Sequence, residues 1–265
     1  MLLAALGSSI AIADRTAKRV VSLDFCADQF VLKLLPRERI LALSPDADRS
    51  FSHMRGAAVG LPQVRPVAED VLVLEPDLIV RSYGGGPRAV EFFGRAGVPV
   101  LQVPYANSLA EIRASITALA QGLSVPEQGQ AIVAQMDDRL RSLRQPSERR
   151  RALYLTPSGF TSGPGTLAHE MLLAAGLDNF QTRPGWHSIP LEQMVDHQPD
   201  LIVAAFFNSR TNHLGQWSPM RHPIARKQMS DRPMVMVEGA WTSCGGWFLL
   251  DAVEALAAEG SGAAR

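Results

Sequence analysis

After its first residues, this 265-residue chain has no long apolar run. A membrane-spanning helix needs ~20 consecutive apolar residues. No later stretch comes near that length, so a helical integral membrane protein is not expected. Net charge is missing too: 26 Lys and Arg balance 26 Asp and Glu. Nucleic-acid binding favours a basic face. The one dense basic run, Arg149-Arg150-Arg151, sits near Pro146 and reads as a solvated linker. No nucleic-acid partner is expected.

Catalytic signatures are also absent. A serine hydrolase would centre a serine in G-x-S-x-G after a strand. The nearest string, Gly159-Phe160-Thr161-Ser162-Gly163, has its serine one place late. The six histidines show no H-x-x-x-H spacing, and no G-x-G-x-x-G occurs. Gly84-Gly85-Gly86-Pro87 lacks the Lys-Ser/Thr of a P-loop and reads as a flexible cleft rim. The expectation is a non-enzyme without a cofactor. Aromatic residues make up only 6%, and there are two cysteines, Cys26 and Cys244.

What is present begins with MLLAALGSSIAIA. This short apolar run ends in Ala11-Ile12-Ala13, with small residues at −3 and −1 before Asp14, as a signal-peptidase site requires. Residues 1–13 are therefore expected to be a signal peptide and the remainder an exported, soluble product. No cysteine directly follows the cleavage site, so no lipid anchor is expected.

From there, strand and helix alternate. Short β-branched runs (Arg19 to Leu23, Ile40 to Leu43, Leu78 to Val80, Val98 to Val103) read as buried parallel strands. Periodic segments (Ala27 to Leu35, a short helix from Glu69, Arg88 to Arg95) read as helices between them. Two consecutive helices follow. The first runs from Leu109 to Gln121. The second opens at Ser124-Val125-Pro126-Glu127, which reads as a capping box, and runs about 21 residues to Pro146, or roughly 30 Å. Alternation then restarts with strands at Ala152 to Leu155, Leu201 to Ala204 and Met234 to Val237. Helices are expected at Leu167 to Ala175, Leu191 to His197 and Leu249 to Ala258.

The pentapeptide Pro-Asp-Leu-Ile-Val occurs twice, starting at Pro76 and, 123 residues later, at Pro199. Each copy follows a short helix and leads into a strand. The two copies mark corresponding elements of two α/β lobes. The expected division is an N-terminal lobe over 14–107, connecting helices over 108–146, and a C-terminal lobe over 147–265. Ligands of such sheets bind beyond the carboxyl ends of the strands.

The segments "RVVSLDFCADQFVLKLL", "AEDVLVLEPDLIVRSYGGG", "SIPLEQMVDHQPDLIV" and "WTSCGGWFLLDAVEAL", together with the long helix, resemble the helical-backbone (class III) periplasmic substrate-binding proteins of ABC importers. These serve vitamin B12, ferric siderophores and haem, and the likeness is greatest to the cobalamin-binding member. The resemblance implies two Rossmann-like lobes with central parallel sheets, joined by one long helix around a ligand cleft. It implies a monomeric periplasmic protein that hands a metal chelate, a corrinoid or a ferric siderophore, to the permease dimer of an ABC importer. Haem or a bare divalent metal is an alternative cargo, with His53, His187 and Asp46 as metal-ligating candidates. A chelatase-like enzyme of the same shape is an alternative activity. The resemblance also implies that one glutamate per lobe, Glu69 and Glu192, docks on the permease; these two are likewise 123 residues apart.

Strand ends nominate the ligand residues: Asp24 and Phe25, Asp46, Arg81 and Tyr83 in the first lobe, Phe207 and Trp241 in the second. Trp186 and His187 stand where the family places a cleft aromatic. Arg65 and Arg81 are candidates for holding a carboxylate or phosphate. Cys26 and Cys244 follow cleft-end strands, one per lobe. They can pair as a disulfide, stay as unpaired structural thiols, or face a ligand or soft metal.

Overall fold

The computed structural model describes residues 16–205 and 219–260. The expected signal peptide and Phe207 lie outside them. The first half runs β1 Val20–Ser22, α1 Phe25–Leu34, β2 Ile40–Ala42, α2 Arg55–Ala58, α3 Ala68–Leu72, β3 Leu78–Arg81, α4 Ala89–Arg95 and β4 Val100–Gln102. Helices α5 Leu109–Gly122 and α6 Pro126–Ser142 follow. The second half runs β5 Arg151–Leu155, β6 Phe160–Ser162, α7 Leu167–Ala174, β7 Asp178–Asn179, β8 Trp186–Ser188, α8 Gln193–Asp196 and β9 Leu201–Ala205. It closes with α9 Pro223–Asp231, β10 Met234–Val237, α10 Gly239–Thr242 and α11 Leu249–Gly260.

Each lobe holds a four-stranded parallel sheet. The orders are β2-β1-β3-β4 and β7-β5-β9-β10. Matched strand for strand, these are one topology built twice, and the two Pro-Asp-Leu-Ile-Val copies feed the equivalent strands β3 and β9. These are the two Rossmann-like lobes that the repeat implies. The antiparallel β6–β8 pair is an addition in the second lobe.

Side chains alternate across a strand, and this alternation partitions the interior. In β1, β3, β5 and β9, Val20, Val80, Tyr154 and Val203 face one large cluster that also takes in α1, α5, α6, α7 and α11. Their neighbours Val21 and Ile79 face a small cluster under α3 and α4. Leu153 and Ile202 face another under α8 and α9. The large cluster is common to both lobes. Phe30 of α1 meets Trp247 edge-on at 5.7 Å, across the lobe boundary. The lobes therefore share a core as well as the long helix.

The connecting segment differs from expectation in two details. Ser124 does not cap α6: its φ is +57°, and Val125 takes the cap position without a side-chain bond. The turn is closed by backbone instead, the N–H groups of Ser124 and Val125 donating to the Gln121 and Ala120 carbonyls. A related pair of reciprocal bonds opens α5, whose N-cap is Ser108. There Ser108 Oγ accepts from the Glu111 N–H, and a Glu111 carboxylate oxygen accepts from the Asn107 N–H. Helix α6 spans 17 residues, about 25 Å, and is shorter than expected because Leu143 turns extended ahead of Pro146.

Candidate functional site

The loops beyond β1 and β3 are locked together by two opposite charges. Asp24 caps α1, its Oδ1 accepting from the Ala27 N–H at 3.0 Å. Its Oδ2 accepts three more backbone N–H groups, from Ser82, Tyr83 and Gly84, at 2.7, 3.0 and 2.9 Å. Arg81 grips the same loop from its carbonyl side, donating to Gly84 O at 2.7 Å and Gly86 O at 3.2 Å. It also donates to Gln102 Oε1. Both side chains are buried. A Cβ on Gly84 would lie 2.3 Å from the Leu23 carbonyl oxygen, so this approach needs glycine. The glycine run, expected to be a flexible rim, is a clamped one. Asp24 and Arg81 are spent on backbone groups.

The clamp presents Tyr83 outward, 54% exposed. Phe25 packs edge-on against it at 6.2 Å and against Phe51 at 4.9 Å. Partial burial, then the carboxylates Asp24, Asp46 and Asp28, push the Tyr83 phenol well above its usual range. It is a neutral phenol at any physiological pH. Asp46 is exposed, 3.7 Å from Arg49. Arg65, exposed, is held by Asp70 through two bonds of 2.6 and 3.1 Å.

In the second lobe the β6–β8 pair holds Trp186 over buried Tyr154, ring centroids 5.9 Å apart. Trp186 is 51% exposed. His187 Nε2 lies 2.8 Å from the Pro184 carbonyl and donates to it, fixing the ring. Trp241 is half-buried against the shared core. Tyr105, in the loop after β4, is 80% exposed.

A cavity of about 230 Å³ opens between the lobes. Tyr105 and Ala106 wall it from the first lobe; Tyr154, Trp186, Thr242 and Cys244 from the second. None of its lining residues among the described ones is charged. Among the ligand residues expected from sequence, Trp186 lines this cavity. Phe25 and Tyr83 form a separate aromatic group in the first lobe. Tyr105 and Tyr154 were not anticipated, whereas Thr242 is a neighbour of the nominated Trp241. Tyr105 obeys the strand-end rule, which had been applied to the first three strands of that lobe only.

The lobes are tied beside this cavity. Cys26, in the first turn of α1, is disulfide-bonded to Cys244, with Cα atoms 5.6 Å apart. Next to it Ser243 Oγ donates to the Phe51 carbonyl. Further along, Arg139 of α6 bonds Asp251 at 2.6 Å and Glu254 at 2.7 and 2.8 Å on α11. His53 stacks on Phe248 at 4.8 Å and lies 3.7 Å from Asp251. Burial pulls the His53 pKa down, against the pull of Asp251. Among the described residues no group of three or more His, Cys, Asp or Glu side chains is arranged to hold a metal ion. Glu69 and Glu192 are both exposed, at the N-terminal ends of the equivalent short helices α3 and α8.

Two matching α/β lobes, an uncharged aromatic cavity at their strand ends and a covalent tie beside it define a two-lobed ligand receptor. A sequence profile described as "periplasmic binding protein" matches residues 47–207, more than half of the chain. The chain belongs to this family. It is 26% identical over 221 residues to the vitamin B12-binding protein of Yersinia pestis (strain Pestoides F), covering 80% of this chain and 78% of the relative. Solved structures share the fold. A periplasmic haem-binding protein of Pseudomonas aeruginosa superposes with a TM-score of 0.70 at 21% identity, covering 94% of each chain. A periplasmic vitamin B12-binding protein of Vibrio cholerae superposes with a TM-score of 0.62 at 22% identity, covering 92% of this chain and 96% of that one.

Proposed function

We propose that this protein is the periplasmic receptor of an ABC importer, carrying a metal chelate, a corrinoid or ferric siderophore, between its lobes. Its role is binding and delivery, without catalysis. The observation that carries this reading is the cavity between the lobes, walled by Tyr105 from one side and by Trp186 over Tyr154 from the other. Aromatic walls offer large contact area at little entropy cost, and a shared, disulfide-tied core keeps them in register. The vitamin B12-binding relative supports the same cargo class. Glu69 and Glu192, exposed and equivalent by the internal repeat, are the contacts for the two subunits of a permease dimer.

Purified protein titrated with cyanocobalamin, haemin and ferric siderophores is expected to lose tryptophan fluorescence at micromolar ligand. Trp186→Ala should weaken the response at least tenfold. Silence across the whole panel removes the chelate reading. Glu69→Ala combined with Glu192→Ala should reduce uptake in cells while leaving ligand affinity unchanged. Normal uptake by that double variant removes the docking assignment.

A further inference from the structure

The charge of the cleft narrows the class of chelate, given that the binding-protein reading holds. The interlobe cavity is lined by aromatic, aliphatic and hydroxyl side chains and by one half of a disulfide, with no charged group among the described residues. Its polar provision is neutral. Thr242 Oγ1 is buried and has no hydrogen-bond partner within the protein. A buried hydroxyl of this kind costs free energy until a ligand supplies a partner.

Three cations of the first lobe are already engaged. Arg81 is buried and donates to Gly84 O, Gly86 O and Gln102. Arg65 is held in a two-bond pair by Asp70. Arg49 lies beside Asp46. At Tyr83 burial first, and then the carboxylates Asp24, Asp46 and Asp28, disfavour a negative charge on the phenol. Among the described residues lining the cavity, an anionic chelate would lose hydration without gaining a paired cation, and an unpaired buried charge is strongly unfavourable.

We infer that this cleft selects metal chelates of zero or positive net charge, seating an uncharged ring or alkyl face in the cavity between Tyr105 and Trp186, and that it rejects polyanionic chelates. Thr242 supplies the one directional contact, to a neutral polar group such as an amide. Charge exclusion, more than shape, sets specificity at the rim.

The test is a titration by tryptophan fluorescence and calorimetry with four chelates of graded charge. They are cationic ferrioxamine, neutral cyanocobalamin, haemin with its two carboxylates, and a trianionic ferric tricatecholate. At least one neutral or cationic chelate is expected to bind 100-fold or more tightly than either anionic one. Tyr105→Arg, at a largely exposed position, should narrow that gap at least tenfold by giving an anion its missing partner. Thr242→Val should weaken the preferred chelate about tenfold while thermal stability of the free protein stays equal or rises. Equal or tighter binding of haemin or tricatecholate overturns the charge inference and leaves the receptor reading intact. So does a Tyr105→Arg variant whose preference does not move. No binding by any of the four overturns the receptor reading itself, and the inference with it.

Discussion

Asp77 reaches across the first sheet and accepts the backbone N–H of Arg19 through Oδ1 at 3.0 Å, while its Oδ2 accepts that of Lys18 at 2.8 Å. Asp200 does the same in the second lobe, taking the Arg151 N–H at 2.8 Å. In both junctions the proline ends a helix and the aspartate pins the start of the neighbouring central strand. The repeated pentapeptide is thus a strand-registering device. Asp77→Ala and Asp200→Ala should each lower stability by about 1–2 kcal/mol, the scale of a charge-assisted hydrogen bond at partial exposure. Urea denaturation measures this. Unchanged midpoints in both variants would show that the apolar Leu-Ile-Val run alone sets the register.

The Cys26–Cys244 bond closes a loop of 218 residues' separation. By the chain-entropy argument, closing a loop of that size stabilises the folded state by about 5 kcal/mol. Reduction, or the double substitution Cys26→Ala with Cys244→Ala, is expected to shift the denaturation midpoint strongly downward. Since Cys244 also lines the cavity, ligand affinity should fall together with stability. A reduced protein that melts and binds like the oxidised one would show the bond to be energetically idle.

Asp28 is fully buried on α1, where its carboxylate accepts from the Ser44 N–H at 3.1 Å and the Ser44 hydroxyl at 2.5 Å. Burial pushes its pKa up to about 6, against the opposing pull of those bonds. The folded protein therefore takes up this proton at higher pH than the unfolded chain. The group favours the folded state as pH falls from about 6 towards 3.8, and weighs against it above about 6. Asp28→Asn keeps an acceptor for the Ser44 N–H and removes the titration. Stability of the wild type relative to this variant should rise by about 2–3 kcal/mol between pH 7 and pH 4, at ~1.4 kcal/mol per unit. Parallel pH–stability curves for the two proteins would refute the shift.

Much of the fold was legible because its strands are continuous apolar runs and its helices carry clear periodicity. Strand β7, two residues long, and the β6–β8 pair, built from Phe160–Ser162 and Trp186–Ser188, were not. They are too short and too polar to leave a pattern. Periodicity marks helices at Ala27 to Leu35 and Leu249 to Ala258 without saying what their apolar faces pack against, so the core common to both lobes is not visible in it. At the site, Asp24 and Arg81 are nominated by their strand-end positions, and Arg81 also by its charge. The charge of each is consumed by backbone N–H and C=O groups, whose positions only the three-dimensional turn reveals. Tyr105 follows β4 and so occupies a strand end of the same kind as Asp24 and Tyr83. Cys26 and Cys244 suggested their bond but could not establish it, since no one-dimensional feature reports a Cα separation.

The common core has a consequence for how the molecule assembles. Trp247, Phe248 and Leu250, near the end of the chain, fill space against Phe30, Val31 and other residues near its beginning. The first half emerges from the ribosome with a hole where these side chains belong. It must wait for them, so the folding barrier is dominated by contacts of very large sequence separation and is slow to cross. The two halves therefore complete their shared interior together, and are expected to close as one cooperative event.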